Sequence, residues 1–201
     1  MGMLVGVEAG IVGGLVSVDS IEKFSDNDVD KLPNLGIYAR VDAPFGFGAE
    51  VTLLPLEVDD IKFNSFSFAG RMNVNKFIPI LPISAKLKVR LGNADIDYKG
   101  VEGGNAIEGN MSNKFTSIDL TLGKKFLIIE PYVGIGYIDA KGDFNFTSSG
   151  VANSDKDIGM STDHIFAGVN LNLIGMRFGV EYASLYGTDR VLAKLGFGFG
   201  L

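Results

Sequence analysis

Ten stretches of this chain place an apolar residue at every second position, with a polar residue or glycine at most of the positions between. The last stretch, Val191 to Leu201, has apolar residues at all odd positions, while the even positions are mostly glycine, with one lysine. Side chains alternate across a strand, so each stretch has one greasy face and one polar or bare face. Ile83, Ala85, Leu87, Val89 and Leu91 alternate with Ser84, Lys86, Lys88 and Arg90 in the sharpest case. A soluble sheet buries its greasy faces inward. A closed barrel in lipid turns them outward and keeps the polar set inside. Composition favours the second arrangement. Apolar residues make up 46% of the chain and mean hydropathy is +0.24, although 21% of residues are charged. No run approaches the roughly 18 apolar residues of a membrane helix.

The alternation predicts strands at Leu4–Val12, Leu35–Asp42, Phe45–Leu53, Phe63–Val74, Ile83–Leu91, Phe115–Leu122, Leu127–Asp139, Thr162–Leu173, Met176–Tyr186 and Val191–Leu201. Pro131 is the weak point of the seventh, because proline cannot donate to a ladder. Val16–Asn34, an acidic segment after the third strand, Gly92–Lys114 and Ala140–Ser161 read as long polar loops. Most of the alternate connections are turns of a few residues. The expected fold is all-β. It is a transmembrane antiparallel up-and-down barrel forming one domain over residues 1–201. Ten strands are expected, or eight if the seventh or a terminal strand drops out. Short turns would face the periplasm and long loops the outside.

The chain resembles small Gram-negative outer-membrane β-barrel proteins over essentially its whole length. The final strand, Val191–Leu201, resembles the C-terminal signal read by the outer-membrane assembly machinery. That signal usually ends in phenylalanine, whereas this chain has Leu201 with Phe199 two before it. Aromatics near strand ends (Phe45, Phe47, Phe66, Phe68, Tyr137, Phe178, Tyr182, Tyr186, Phe197) suit interfacial girdles. The resemblance implies insertion in the bacterial outer membrane, contact with its lipids and lipopolysaccharide, and handling by the assembly machinery. A monomer is expected, since a closed barrel needs no partner strands. It implies no reaction. Met1-Gly2-Met3 leads straight into a strand, so a processed chain with a new start methionine is expected.

With the greasy faces toward lipid, the lumen would carry Glu8, Arg40, Asp42, Glu50, Arg71, Lys86, Lys88, Arg90, Asp119, Glu130, Arg177, Glu181 and Lys194. Such a mixed set in a narrow tube is expected to pair up as a structural plug. The competing reading is a narrow path for ions or small solutes, with Lys86, Lys88 and Arg90 as its basic stripe. A wide porin is not expected, because about eight strands are filled by side chains and 16–18 are needed for an open channel.

Other chemistry is thinly represented. A net charge of -6 argues against nucleic acid, and the absence of cysteine rules out disulfides and thiolate metal sites. Neither a metal site nor a cofactor is expected. Asp26-Asn27-Asp28-Val29-Asp30 offers hard oxygen ligands but lacks the glycine and closing glutamate of a calcium loop, so it reads as solvated loop charge. Asp95-Ile96-Asp97 together with Asp163-His164 faintly echoes the outer-membrane proteases that pair carboxylates with an Asp-His unit. Asp163 and His164 are adjacent, however, and must point to opposite faces. A non-enzymatic barrel is therefore expected. The rivals are a rim hydrolase at His164 and a recognition module acting through the long loops, especially Val16–Asn34 and Ala140–Ser161.

Overall fold

Alternating sequence becomes alternating exposure along every strand. In the computed structural model the described residues are 5–17, 31–58, 61–76, 83–102, 105–148, 151–185 and 188–199. They form ten strands: β1 (Gly6–Ser17), β2 (Lys31–Asp42), β3 (Phe47–Val58), β4 (Ile61–Asn73), β5 (Ser84–Glu102), β6 (Asn105–Gly123), β7 (Ile129–Ser148), β8 (Val151–Leu173), β9 (Met176–Leu185) and β10 (Thr188–Phe199). Each pairs antiparallel with its neighbours in sequence, and β10 closes onto β1. Among the described residues no helix is long and apolar enough to cross a membrane. Every strand has a neighbour on both sides of a closed ring, the arrangement that lets strands cross a membrane.

The described termini share one end of the cylinder with the turns between β2 and β3, β4 and β5, β6 and β7, and β8 and β9. In barrels of the kind the sequence resembles, this is the periplasmic end. Its turns are fixed by local backbone. Gly46 (φ 87°) and Gly175 (φ 74°) take the left-handed conformation that closes β2–β3 and β8–β9. Asn75 closes β4–β5, accepting from the Ala85 amide at 2.6 Å and donating to the Ile83 carbonyl. Pro131 is accommodated near the start of β7, where its carbonyl accepts from the Lys124 amide at 3.1 Å.

The outer wall is apolar. Ile135 is 60% exposed and Ile165 63%, whereas Glu8 is 2% exposed and Glu50 6%. Phe47, Phe178 and Phe197 stand toward the periplasmic end of this wall. Phe66, Phe68, Tyr137 and Tyr182 stand toward the outer end.

The architecture is the expected one, but the outer side uses its length differently. Most of Gly92–Lys114 and Ala140–Ser161 is strand rather than loop. β5 to β8 run 19, 19, 20 and 23 residues, against 10 to 13 in the other six, and their outer parts form a raised sheet that β4 flanks as far as Ile61, opposite Tyr98, and that continues past Leu185 of β9, opposite His164. Along β5 the outward positions change from Leu87, Val89 and Leu91 to Asn93, Asp95 and Asp97. The other three strands change likewise, after Thr116, Tyr137 and Ile165. The expected start of the first strand at Leu4, the acidic Asp26–Asp30 segment, Tyr186 and the Leu201 terminus lie outside the described residues.

Candidate functional site

The lumen is built by rows of side chains that run across the sheet. One row reads Glu8, Arg40, Glu50, Ala69, Arg90 and Ser117 from β1 to β6. Another reads Asp42, Gly48, Arg71, Lys88, Asp119, Gly136 and His164 from β2 to β8. Opposite charges therefore sit on neighbouring strands, where cross-strand pairs lie within reach. All thirteen charged residues assigned to the lumen from the sequence share this inner face.

Glu8 is the hub. Its carboxylate takes Arg40 at 2.8 Å, Arg177 at 2.9 Å and the Tyr38 hydroxyl at 2.7 Å. Arg40 also meets Asp42 at 2.9 Å, and Arg177 donates to Asn172 at 2.6 Å. Arg71 lies between Asp42 at 3.7 Å and Glu50 at 3.8 Å. Across the barrel Lys86 pairs with Glu130 at 2.5 Å, and Lys88 approaches Asp119 at 3.6 Å. These groups form one linked cluster around Glu8 and, beside it, the pairs Lys86–Glu130 and Lys88–Asp119. Water cannot solvate them fully, so their own pairings must offset the cost of burial.

Two links depend on missing side chains. Gly136 on β7 pairs with Asp119 on one side and His164 on the other. The His164 Nε2 reaches Asp119 Oδ1 at 3.0 Å over that bare backbone, where a Cβ would strike both groups. Gly168 plays the same part between Tyr132 and Glu181, whose hydrogen bond is 3.0 Å long. Phe166 stacks on His164 with ring centres 5.7 Å apart and fills the space beside the pair.

Alternation places Tyr38, Tyr132 and Asn172 on the lumenal face but does not reveal their bonds to Glu8, Glu181 and Arg177, and it leaves out Arg190. Arg190 precedes the expected Val191–Leu201 strand, yet it lies on the inner face of β10, 3.8 Å from Glu181. The Asp119–His164 pair was invisible, because it depends on a register between three strands. The protease-like group is not assembled. His164 faces the lumen with Asp119, while Asp163 faces outward. Asp95 and Asp97 stand on the outer face of the raised sheet, bonded to Ser112 and Asn110, each at 2.5 Å. Among the described residues no cluster is suited to hold a metal ion.

A cavity of about 430 Å³ occupies the periplasmic half of the lumen. Asp42, Pro44 and Gly46 stand at its mouth, and Glu50, Arg71, Lys88, Tyr132, Phe166 and Lys194 line it further in.

The sequence matches no family model and no curated protein. The fold does match solved structures. The translocator domain of autotransporter NalP from Neisseria meningitidis aligns with a TM-score of 0.67 at 12% identity, covering 100% of this chain and 89% of that one. The β-domain of the Bordetella autotransporter BrkA aligns at 0.53 with 10% identity, covering 98% and 100%. The outer-membrane protease OmpT from Escherichia coli aligns at 0.52 with 9% identity, covering 99% of each chain. At such identities the likeness is one of fold. Together with a wall that is apolar outside and ionic inside, it gives this chain the ten-stranded fold of bacterial outer-membrane β-barrels.

Proposed function

We propose that this protein is a non-enzymatic barrel whose lumen is plugged by its own side chains, and that its role is structural. The Glu8 hub carries the reading. One carboxylate on β1, 2% exposed, holds two arginines and a tyrosine drawn from β2 and β9, which ties the neighbouring strands β9, β10, β1 and β2 together inside the lumen. Tyr132 and Phe166 add bulk where a path would have to run. Burying this many charges is costly unless they are fixed, and a fixed network is a poor conduit. Insertion in lipid and lipopolysaccharide as a monomer, after handling by the assembly machinery, belongs to the same proposal.

Planar-bilayer recording on refolded protein tests it. A silent membrane is the expected result. Discrete conductance steps that scale with salt would replace the plug by the narrow-passage reading, and charge reversal at Lys86, Lys88 and Arg90 would then alter ion preference.

A second reading is recognition through the raised sheet. It is favoured by the polar ladder on the outer face of β5 and β6, where Asp95 faces Ser112, Asp97 faces Asn110 and Lys99 faces Glu108 at 3.6 Å. Shortening the β5–β6 hairpin should spare folding and abolish partner binding if this reading holds.

A further inference from the structure

The short-turn end of the barrel is apolar at its very tips. Leu127 on the β6–β7 turn is 93% exposed and Ile174 on the β8–β9 turn fully so, with Phe126, Ile128 and Leu173 exposed beside them. The backbone opposes a side chain at Leu127. Phe126 and Ile129 exchange amide–carbonyl bonds of 2.7 and 2.9 Å around a two-residue loop, and Leu127 takes φ 55° at its first position. Glycine is favoured there, because a Cβ crowds the left-handed conformation. The leucine is held in that conformation while packing against almost nothing in its own chain. The Ile128 carbonyl accepts from the Asn172 amide at 2.7 Å, which fastens the two turns together.

The apolar wall above them is too short by itself. Its outward side chains turn polar beyond Tyr137 on β7 and Ile165 on β8. From there to Ile129 and Leu173 each strand descends about 20 Å, at ~3.3 Å per residue and a tilt of roughly 35–45°. The hydrocarbon band of such barrels is ~25 Å tall, so the last ~5 Å falls on the turns. Lys124 agrees with that level. Its ammonium lies 5.3 Å from the centre of the Phe126 ring, nearer the tip than its own backbone, as a lysine does when it reaches out of an apolar layer. Lys125 is exposed next to it, and residues 123–129 and 172–176 contain no acidic side chain. Exposed apolar tips flanked by lysines suit the boundary of an anionic lipid surface.

We propose that the β6–β7 and β8–β9 turns insert into the leaflet at this end of the barrel, with Leu127, Ile128 and Ile174 in its acyl layer and Lys124 and Lys125 against the phosphates of an anionic phospholipid. The barrel is then anchored by its turns as well as by its wall. This goes beyond the plugged-lumen reading and holds whether or not the lumen conducts.

The chain has no tryptophan, so a single introduced one reports its own surroundings. The full chain carrying Leu127→Trp or Ile174→Trp is refolded into vesicles of phosphatidylcholine and phosphatidylglycerol. Emission from both should be blue-shifted, more than half quenched by bromines on the acyl chains, and nearly untouched by aqueous iodide. Asn145→Trp on the raised sheet should behave in the reverse way. Val133→Trp, in the middle of the wall, is quenched by bromines in any inserted barrel and so separates failed refolding from a failed proposal. Brominated phosphatidylglycerol should quench the tip tryptophans severalfold more effectively than brominated phosphatidylcholine, and adding Lys124→Gln with Lys125→Gln should remove that preference. Tip emission that iodide reaches and bromines do not would overturn the insertion. Equal quenching by the two lipids, or a preference that survives both lysine changes, would overturn the assignment of an anionic lipid.

Discussion

The lower and upper parts of β5 to β8 are continuous strands with opposite polarity. Within the band their outward side chains are Leu87, Val89 and Leu91 on β5, and Val133, Ile135 and Tyr137 on β7. Above it the same faces carry Asp95 and Asp97, and Asp139, Lys141 and Asp143. The inward faces grow more apolar in step, from Lys86, Lys88 and Arg90 to Ala94 and Ile96 on β5, and from Asp119 and Ser117 to Phe115, Asn113 and Met111 on β6. The backbone does not register the change, since pairing of β5 with β6 runs unbroken from Ser84–Gly123 to Glu102–Asn105. Alternation therefore fixes which side chains share a face, and the surrounding medium fixes what those side chains must be. The level at which the outward set turns polar marks the outer edge of the hydrocarbon, a band ~25 Å tall in barrels of this kind.

If that is right, carboxylates in the two regions have different work to do. Replacing Glu8 by alanine leaves Arg177 without a carboxylate and Arg40 with Asp42 alone, and loss of one partner from a buried ionic group costs about 3–5 kcal/mol. Glu108 in the raised sheet pairs with Lys99, but the two side chains are 63% and 75% exposed. Glu108→Ala should cost about 0–1 kcal/mol. Reversible urea unfolding in lipid vesicles measures both. Equal losses would mean that the lumen is as wet as the outer sheet, and the plug would have no energetic basis.

The outward face gives the next contrast. Val133→Lys puts an ammonium in the middle of the apolar wall and should cost about 2–4 kcal/mol, while Tyr137→Lys at the outer edge should cost about 0–1 kcal/mol. Asp139→Lys, one position further out on the same face, should change little. This series locates the membrane boundary on β7 to within one pair of residues. A flat series would refute the polarity switch.

The same switch explains what could be read beforehand. The ten band segments were legible because their outward residues are apolar in one consistent phase. Gly92-Asn93-Ala94-Asp95-Ile96-Asp97 alternates just as regularly, but with the phase inverted, so a search for greasy outward faces reads it as loop. Ala140–Ser161 was missed for a similar reason, compounded by the register shift between Gly142 and Phe144. Composition along each strand was enough to assign the thirteen lumenal charges to one face. Their partners were not legible, because pairing depends on stagger between strands that no single strand encodes. Arg190 escaped because it lies beside the polar residues that join β9 to β10.

Glycine offers the finest comparison, because its role depends on what lies across it. At Gly136 an added methyl would displace either Asp119 or His164 and cut their 3.0 Å contact. Overpacking of this kind costs about 1–3 kcal/mol. At Gly159 in the raised part of β8 a methyl meets nothing within 4 Å. There the substitution only narrows the unfolded ensemble and should stabilise by about 0.4–1 kcal/mol. Gly136→Ala and Gly159→Ala should thus move the unfolding midpoint in opposite directions. The His164 ring resonances should shift in the first variant and stay put in the second. A Gly136→Ala barrel with parental stability and unshifted His164 resonances would show that the lumen yields as freely as the sheet above it. The proposed rigid ionic plug would then give way to a soft, rearranging interior.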